Sequence, residues 1–406
     1  MALPLAGVNV LDLTNVMAGP YCSMVLGDMG AEVVKIESFP EGDTSRRFDP
    51  KINDESYCFA VLNRNKKSLA LDMKHPRGKE IFAKLAARAD IITENFRPGV
   101  VRKLGIDYDA VRQFNPGVVY ASMSGFGQSG PYGKKGGFDI IAQGMSGIMM
   151  MTGYPGGRPA KVGIAMNDIA SGVTALYGIL AAYIGRLRTG QGQYLETSLL
   201  EAGLAWTPWE FGAYFGAGEL PTATGTRHRR AAPYQAYKTR DAYVTVGAGN
   251  DKLWNNFCNM VCAKPEWLAD PRFATAASRL NNIDALEQEI EAVLTTQPTA
   301  YWVEKLDAAA VPGGPVFGYA EVMHDPHIKA RNMVVDMEHP IIGRMKTIGM
   351  PIKSTGELTS IREPAPWLGQ HSAEVLRSIG YAGDDIAALF AAGVIYDKYR
   401  NKAPAS

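Results

Sequence analysis

Cysteine is scarce: Cys22, Cys58, Cys258 and Cys262 are the whole complement of 406 residues, too few to staple a chain of this size with disulfides. Cys258 and Cys262 are spaced like helix neighbours, yet no histidine or second cysteine pair accompanies them. Buried free thiols are the expectation, not a metal site. The histidines of His324-Asp-Pro-His327 are parted by Pro326, which breaks the helix that would align them. A surplus of either charge is missing too. Lys+Arg 42 nearly cancels Asp+Glu 41, so no global field favours nucleic acid or an anionic membrane. Any anionic ligand must be held by local groups. The opening MALPLAGVNVLDLT lacks the basic start and cleavage site of a signal peptide. Long apolar runs are short as well: the most apolar helix-like stretch, 173–184, falls below the roughly 18 residues that span a bilayer. Gly19, Gly27 and Gly30 do not make the G-x-G-x-x-G fingerprint of nicotinamide binding, although Glu37 ends a second strand. A cytoplasmic, metal-free protein with no nucleic-acid or membrane partner is expected.

What is present is the ordinary mixture of a globular protein with a large core, 46% hydrophobic and 20% charged. Short strands are expected at 7–14, 32–37, 68–72, 90–94 and 118–123, with helices from Pro20 and Pro76 between them. Such alternation predicts an α/β fold with a parallel sheet and right-handed crossovers. Ligands of such sheets sit beyond the C-terminal strand ends. Asn167-Asp168 precedes a long apolar helix carrying Val173, Leu176, Leu180, Tyr183 and Leu187, ended by Arg186-Leu-Arg-Thr-Gly190. Residues 193–198 alternate like a strand. The glycine-rich stretch 212–225 reads as a linker or surface loop. A hairpin is expected over 234–246, then amphipathic helices near 253–261, 285–295 and 300–310. The domain expectation is a large Rossmann-like domain over 1–210, a smaller α+β domain over 225–325, and a return to the large domain over 330–406.

Several segments offer chemistry. Asp168 at a helix mouth faces unpaired N–H groups and the positive end of the macrodipole, which predicts an ionised carboxylate. Its plainest role is the helix N-cap. The loop Asn15-Val-Met-Ala-Gly-Pro20 leaves room for a ligand, or is simply a tight strand-to-helix turn. Asn63-Arg-Asn-Lys-Lys67 and Asn95-Phe-Arg-Pro-Gly99 bring cations that suit phosphate, with Phe96 able to stack on a flat base; a solvated charged face is the alternative. Segments 124–132 and 136–140 are glycine-rich loops able to approach a ligand. Arg227-His-Arg-Arg230 is a cationic cluster suited to a carboxylate, or surface.

Taken in order, PLAGVNVLDLT, GDMGAEVVKIE, NRNKKSLALDMK, ENFRPGVVRKLG, SGFGQSGP, FDIIAQGMSG, MNDIASG, GILAAYIGRLRTGQGQ, PYQAYKTRDAYVTVGAGN and PWLGQHSAEVL resemble the family III CoA-transferases, the CaiB/BaiF type. This group includes formyl-CoA:oxalate and succinyl-CoA:glutarate transferases. The resemblance implies that Asp168 is the nucleophile, carrying an acyl anhydride and then a CoA thioester. It implies Asp139 near the reacting carbonyl, with backbone donors at Met17 and Ala18. It further implies a CoA groove lined by Val16, Leu71, Asn95, Phe96 and Lys103, and a substrate contact at Tyr57. No prosthetic group is implied; coenzyme A enters as substrate, with an acyl-CoA and a carboxylic acid as small-molecule partners. An interlocked homodimer is implied as well.

Three departures bear on the acid. Met17 stands where oxalate-type members carry glutamine. No glycine run forms their flap, since GTRHRRAAPYQAY occupies 225–237, and Phe48 replaces a tryptophan. PYQAYKTRD and VGAGN resemble the succinyl-CoA:glutarate branch, which implies a dicarboxylate acceptor whose distal group is held by Arg46, Arg227 or His228. The alternatives are an α-methylacyl-CoA racemase, whose Gly-His-Asp string here reads Gly137-Phe138-Asp139, and a non-catalytic acyl-CoA-binding protein.

Overall fold

The computed structural model describes residues 2–400. Fourteen strands are present among them: β1 (Asn9–Asp12), β2 (Glu32–Glu37), β3 (Lys51–Ile52), β4 (Glu55–Ser56), β5 (Lys66–Leu71), β6 (Ile91–Glu94), β7 (Val119–Ser124), β8 (Gln193–Ser198), β9 (Tyr234–Lys238), β10 (Tyr243–Gly247), β11 (Gly313–Pro315), β12 (Val334–His339), β13 (Gly343–Ile348) and β14 (Ile395–Tyr396). Seven form one sheet in the order β14-β5-β2-β1-β6-β7-β8, parallel except for β14, which pairs antiparallel to β5. Strand order reverses between β1 and β6, so a crevice opens beyond their carboxyl ends.

Both faces of this sheet are covered, which is why its central strands read as apolar runs. Side chains alternate across it. Leu11, Ile92, Leu69 and Tyr120 face one core, closed by Ile81, Phe82, Leu376 and Leu389. Val10, Ile91, Val33 and Val119 face the other, closed by Val25, Leu26, Ala175 and Ile179. The first helix, Ala18–Asp28, and the long helix, Met166–Thr189, supply that second layer.

The chain divides into two compact units, one of residues 1–148, 161–219 and 329–406, the other of 149–160 and 220–328. The second unit has an antiparallel sheet β11-β10-β9 and its own core of Tyr237, Val244, Trp254, Phe257 and Trp302.

Several expectations need correction. Residues 149–160 cluster with the second unit rather than with the rest of 1–210. The stretch 212–225 is not all loop, because Pro208 starts a ten-residue helix that runs to Ala217 through two glycines. The long helix has 24 residues, so by length and composition it reaches the size that crosses a bilayer; polar Asn167 and Ser171 lie on its buried face. In the 63–67 segment Arg64 and Lys66 are neither solvated nor free for a ligand. Arg64 pairs with Asp28 at 2.6 Å and Lys66 with Asp12 at 3.0 Å, all four side chains nearly inaccessible.

Candidate active site

The crevice beyond β1 and β6 holds a cavity of about 290 Å³ lined by Asn15–Ala18, Asn95–Pro98, Ser124–Gly125, Lys135–Asp139 and Asp168. One helix crossing sets its depth. A Cβ on Gly172 would lie 2.6 Å from the carbonyl oxygen of Ala18, so only glycine lets the long helix approach the start of the first one this closely. Asp168 is one turn before Gly172 on the same face and is thereby brought beside Ala18.

The long helix starts at Met166, with Ala165 at the N-cap, so Asp168 lies inside the first turn and is not the cap. Asp139 takes that role from the neighbouring helix Asp139–Met145. Its Oδ1 accepts from the Asn167 amide at 2.8 Å and the Asp168 amide at 3.4 Å, and its Oδ2 accepts from Gln143 Nε2 at 2.7 Å. The Asp168 carboxylate has no hydrogen bond or ion pair among the described residues. Burial, and next the charge of Asp139, push its carboxyl up to about 7. The expectation that the helix keeps Asp168 ionised therefore fails: the donors that would do so are spent on Asp139.

Opposite lies the loop between β1 and the first helix. Val16 has φ +69°, a left-handed backbone that β-branched residues rarely adopt. Its amide donates to Asp43 Oδ1 at 3.0 Å. The Asn95 amide side chain grips Asn15 on both sides, accepting from its N–H and donating to its carbonyl, each at 2.8 Å. Lys35 Nζ donates to the Thr14 carbonyl at 2.7 Å and pairs with Asp43 at 2.9 Å. No side chain caps the first helix, leaving its leading N–H groups at the cavity.

Val16, Met17, Ala18, Asn95, Phe96, Asp139 and Asp168 are thus gathered at one cavity. Others are not. Leu71 is 1% exposed, packed in the sheet core rather than in a groove. Lys103 is exposed on the helix Val100–Leu104 and does not line this cavity. Tyr57 exchanges hydrogen bonds through its hydroxyl with the backbone of Lys346. Arg46 cannot hold a distal carboxylate: Glu37 takes its Nε and Nη2 at 2.7 and 2.8 Å, and its guanidinium lies 3.6 Å over the Phe59 ring. Arg227 is committed to Glu287 and Asp284, and His228 packs on Tyr234 with its Nδ1 accepting from the Arg230 amide. Gly125 and Gly137 do line the cavity, and they also need each other's lack of a side chain, since a Cβ on either would meet the other's Cα within 2.7 Å.

Asp43 and Lys35 were missed. Lys35 had a signal, a lone cation inside the buried strand EVVKIE; Asp43 sits in a loop and had none. Lys135 was not singled out either, whereas Arg97 is the cation of the 95–99 segment read as suiting phosphate. Both line the cavity and make no ion pair among the described residues, Lys135 resting on the Tyr132 ring at 4.3 Å.

The chain is similar to known proteins along most of its length. A family model described as CoA-transferase family III matches residues 5–372. Succinyl-CoA:glutarate CoA-transferase of Mus musculus is 36% identical, covering 97% of this chain and 90% of its own. Acetyl-CoA:oxalate CoA-transferase of Acetobacter aceti is 37% identical over 91% of this chain and 94% of its own. Among solved structures, a CaiB/BaiF family protein from Brucella suis superposes with a TM-score of 0.85 at 32% identity, covering 93% of this chain and all of that one. A match of this extent, on a fold whose crevice holds an unpartnered aspartate, makes the chain an enzyme of CoA-transferase family III.

Proposed function

We propose that this enzyme moves CoA from an acyl-CoA donor, succinyl-CoA or a close analogue, to a dicarboxylate, with Asp168 as the covalent carrier. One observation carries the proposal: capping of the long helix is done by Asp139, and the Asp168 carboxyl is left without a protein partner at the cavity. An Asp168 Oδ attacks the thioester carbon, the C–S bond breaks, and CoA thiolate leaves a mixed anhydride. The thiolate then attacks Asp168 Cγ, the Cγ–O bond breaks, and the donor acid departs from an aspartyl-CoA thioester. The acceptor carboxylate runs both steps in reverse and leaves as its CoA ester. Every change is an acyl transfer between oxygen and sulfur, so no electron is lost or gained.

Each step develops an oxyanion. The uncapped N–H groups at Met17 and Ala18 are the donors available for it, in place of a side-chain amide. Val16, Asn95 and Phe96 border the path of the CoA chain. Arg97 and Lys135 supply the positive charge that an anionic substrate meets. The dicarboxylate assignment draws on the glutarate relative. The racemase alternative lacks its proton carrier, because Phe138 stands next to Asp139. A homodimer is part of the same proposal.

Intact-mass measurement after mixing with a panel of acyl-CoAs tests the mechanism: wild type gains a CoA adduct on the Asp168 peptide, and Asp168→Ala gains none. An adduct persisting in the variant refutes the assignment. Preference for monocarboxylate acceptors refutes the substrate class.

A further inference from the structure

Four charges lie fully inside the first unit beneath the loop that faces Asp168. Asp12, Lys35, Asp43 and Lys66 are between 0 and 2% exposed. Lys35 bridges Asp43 at 2.9 Å and Asp12 at 3.8 Å, and Lys66 reaches Asp12 at 3.0 Å. Burial opposes each ionised form, but for Asp43 Lys35 and the hydrogen bonds from Ser45 together outweigh it, holding that carboxyl below its usual range, and the carboxylates hold Lys35 above its own.

Such a cluster is a poor way to gain stability. Taking ions out of water costs several kcal/mol each, and well-packed apolar side chains of equal volume do as well or better. Besides holding Ser23, Ser45, Pro20 and Asn63, its polar atoms converge on one loop. Asp12 Oδ1 accepts from the Thr14 amide at 2.9 Å, and Lys35 donates to the Thr14 carbonyl at 2.7 Å. Asp43 accepts from the Val16 amide. Asn95, from the end of β6, holds both sides of Asn15 between them. Three consecutive residues are therefore fixed by four side chains from β1, β2, β6 and the 43–47 turn.

What they fix is a strained conformation. Val16 at φ +69° persists only where its surroundings over-determine it. Gly19 closes the arrangement from the helix side, because a Cβ there would come within 2.3 Å of Thr14 Cβ. The next residues, Met17 and Ala18, carry the free N–H groups at the cavity.

We propose that Asp43, Lys35 and Asn95 are positioning residues for acyl transfer, clamping Thr14, Asn15 and Val16 so that the N–H groups of Met17 and Ala18 stay registered on the oxyanion formed at Asp168. This rests on the Asp168 reading. The clamp touches no reacting atom; it acts through the loop. Loosening it displaces the donors by fractions of an ångström, and misplacement of about 1 Å costs on the order of a hundredfold in rate.

The test pairs Asp43→Asn with the double variant Asp43→Asn/Lys35→Met, each assayed where circular dichroism shows it folded. The double variant removes the buried pair together and leaves Asp12 its Lys66 partner, so no charge is stranded and it folds even where Asp43→Asn does not, and it then decides the matter alone. For both variants kcat falls about tenfold or more while KM for the acyl-CoA stays within about threefold. The CoA adduct still forms on Asp168 in both, only more slowly. Folded variants that keep kcat within about twofold of wild type overturn the proposal, and so does a raised KM at unchanged kcat, which marks a mere contact. An adduct missing from the wild type refutes the Asp168 reading instead, leaving the two failures distinct.

Discussion

Two carboxylates at the mouth of the long helix do opposite work. Asp139 receives the helix N–H groups; Asp168, one turn away from Gly172, receives none and carries a carboxyl pushed up to about 7. Only the ionised form attacks a thioester. The rate of adduct formation in free enzyme should thus fall about tenfold per pH unit below about 7 and level off above it. Asp139→Asn keeps an acceptor for the Asn167 amide but removes the neighbouring charge. Its acid limb moves to lower pH; a limb that stays put in a pH–rate profile refutes the coupling. Stability follows from the same shift. A carboxyl whose folded pKa exceeds the unfolded 3.8 favours folding fully below that value, and the contribution is lost as pH rises through about 7. Asp168→Asn escapes the loss. Allowing for partial exposure, it gains on the order of 2 kcal/mol over wild type at pH 8 and almost nothing at pH 4, measurable by urea unfolding at the two pH values. Equal stability at both would remove the basis for the raised pKa.

At the scale of elements, the site depends on how closely two helices cross. Gly172→Ala puts a methyl within 2.6 Å of the Ala18 carbonyl oxygen, which is backbone and cannot swing aside. The long helix must shift, at a cost of roughly 1–3 kcal/mol, and Asp168 moves with it. Adduct formation should slow by about tenfold or more. Retained wild-type rate and stability would show that the crossing has slack. This crossing was not legible in the chain, since a glycine between Ser171 and Val173 looks like any other weak spot in a helix. The strands were legible, because parallel strands buried on both faces announce themselves as apolar runs. Their charged members were misread: Lys66 was given to a phosphate or to a solvated face, because a run of cations ordinarily serves one or the other, and nothing local told that Asp12 waits 54 residues earlier. β14 and β11, at two and three residues, are too short to show a period. Asp168, Asp139, Met17, Ala18, Asn95 and Phe96, which line one cavity, were proposed from collinear motifs rather than from any single pattern. Arg46, Arg227 and His228 failed because charge alone does not say whether a partner already holds it.

For the whole molecule, the first unit leaves apolar surface that a solitary chain has little reason to keep. The helix Pro208–Ala217 buries none of its residues, and Phe215 is 77% exposed, stacked on Phe211 at 5.4 Å. On the long helix Leu187 is 70% and Tyr177 59% exposed, although the opposite face of that helix is core. Exposed apolar side chains of this kind suit an interface, which is the homodimer proposed above. Association with a second copy, chains passing through each other as links, makes a prediction that ordinary face-to-face dimers do not share. Linked chains cannot part without unfolding, so dilution alone leaves the dimer intact. Tagged and untagged dimers mixed under native conditions form no hybrid, and hybrids appear only after joint unfolding in urea and refolding. Native mass spectrometry of the mixture reads this directly. Prompt hybrids without denaturant would leave a dimer but unlink it, and a wild-type monomer in sedimentation at micromolar concentration would leave those exposed side chains to some other partner.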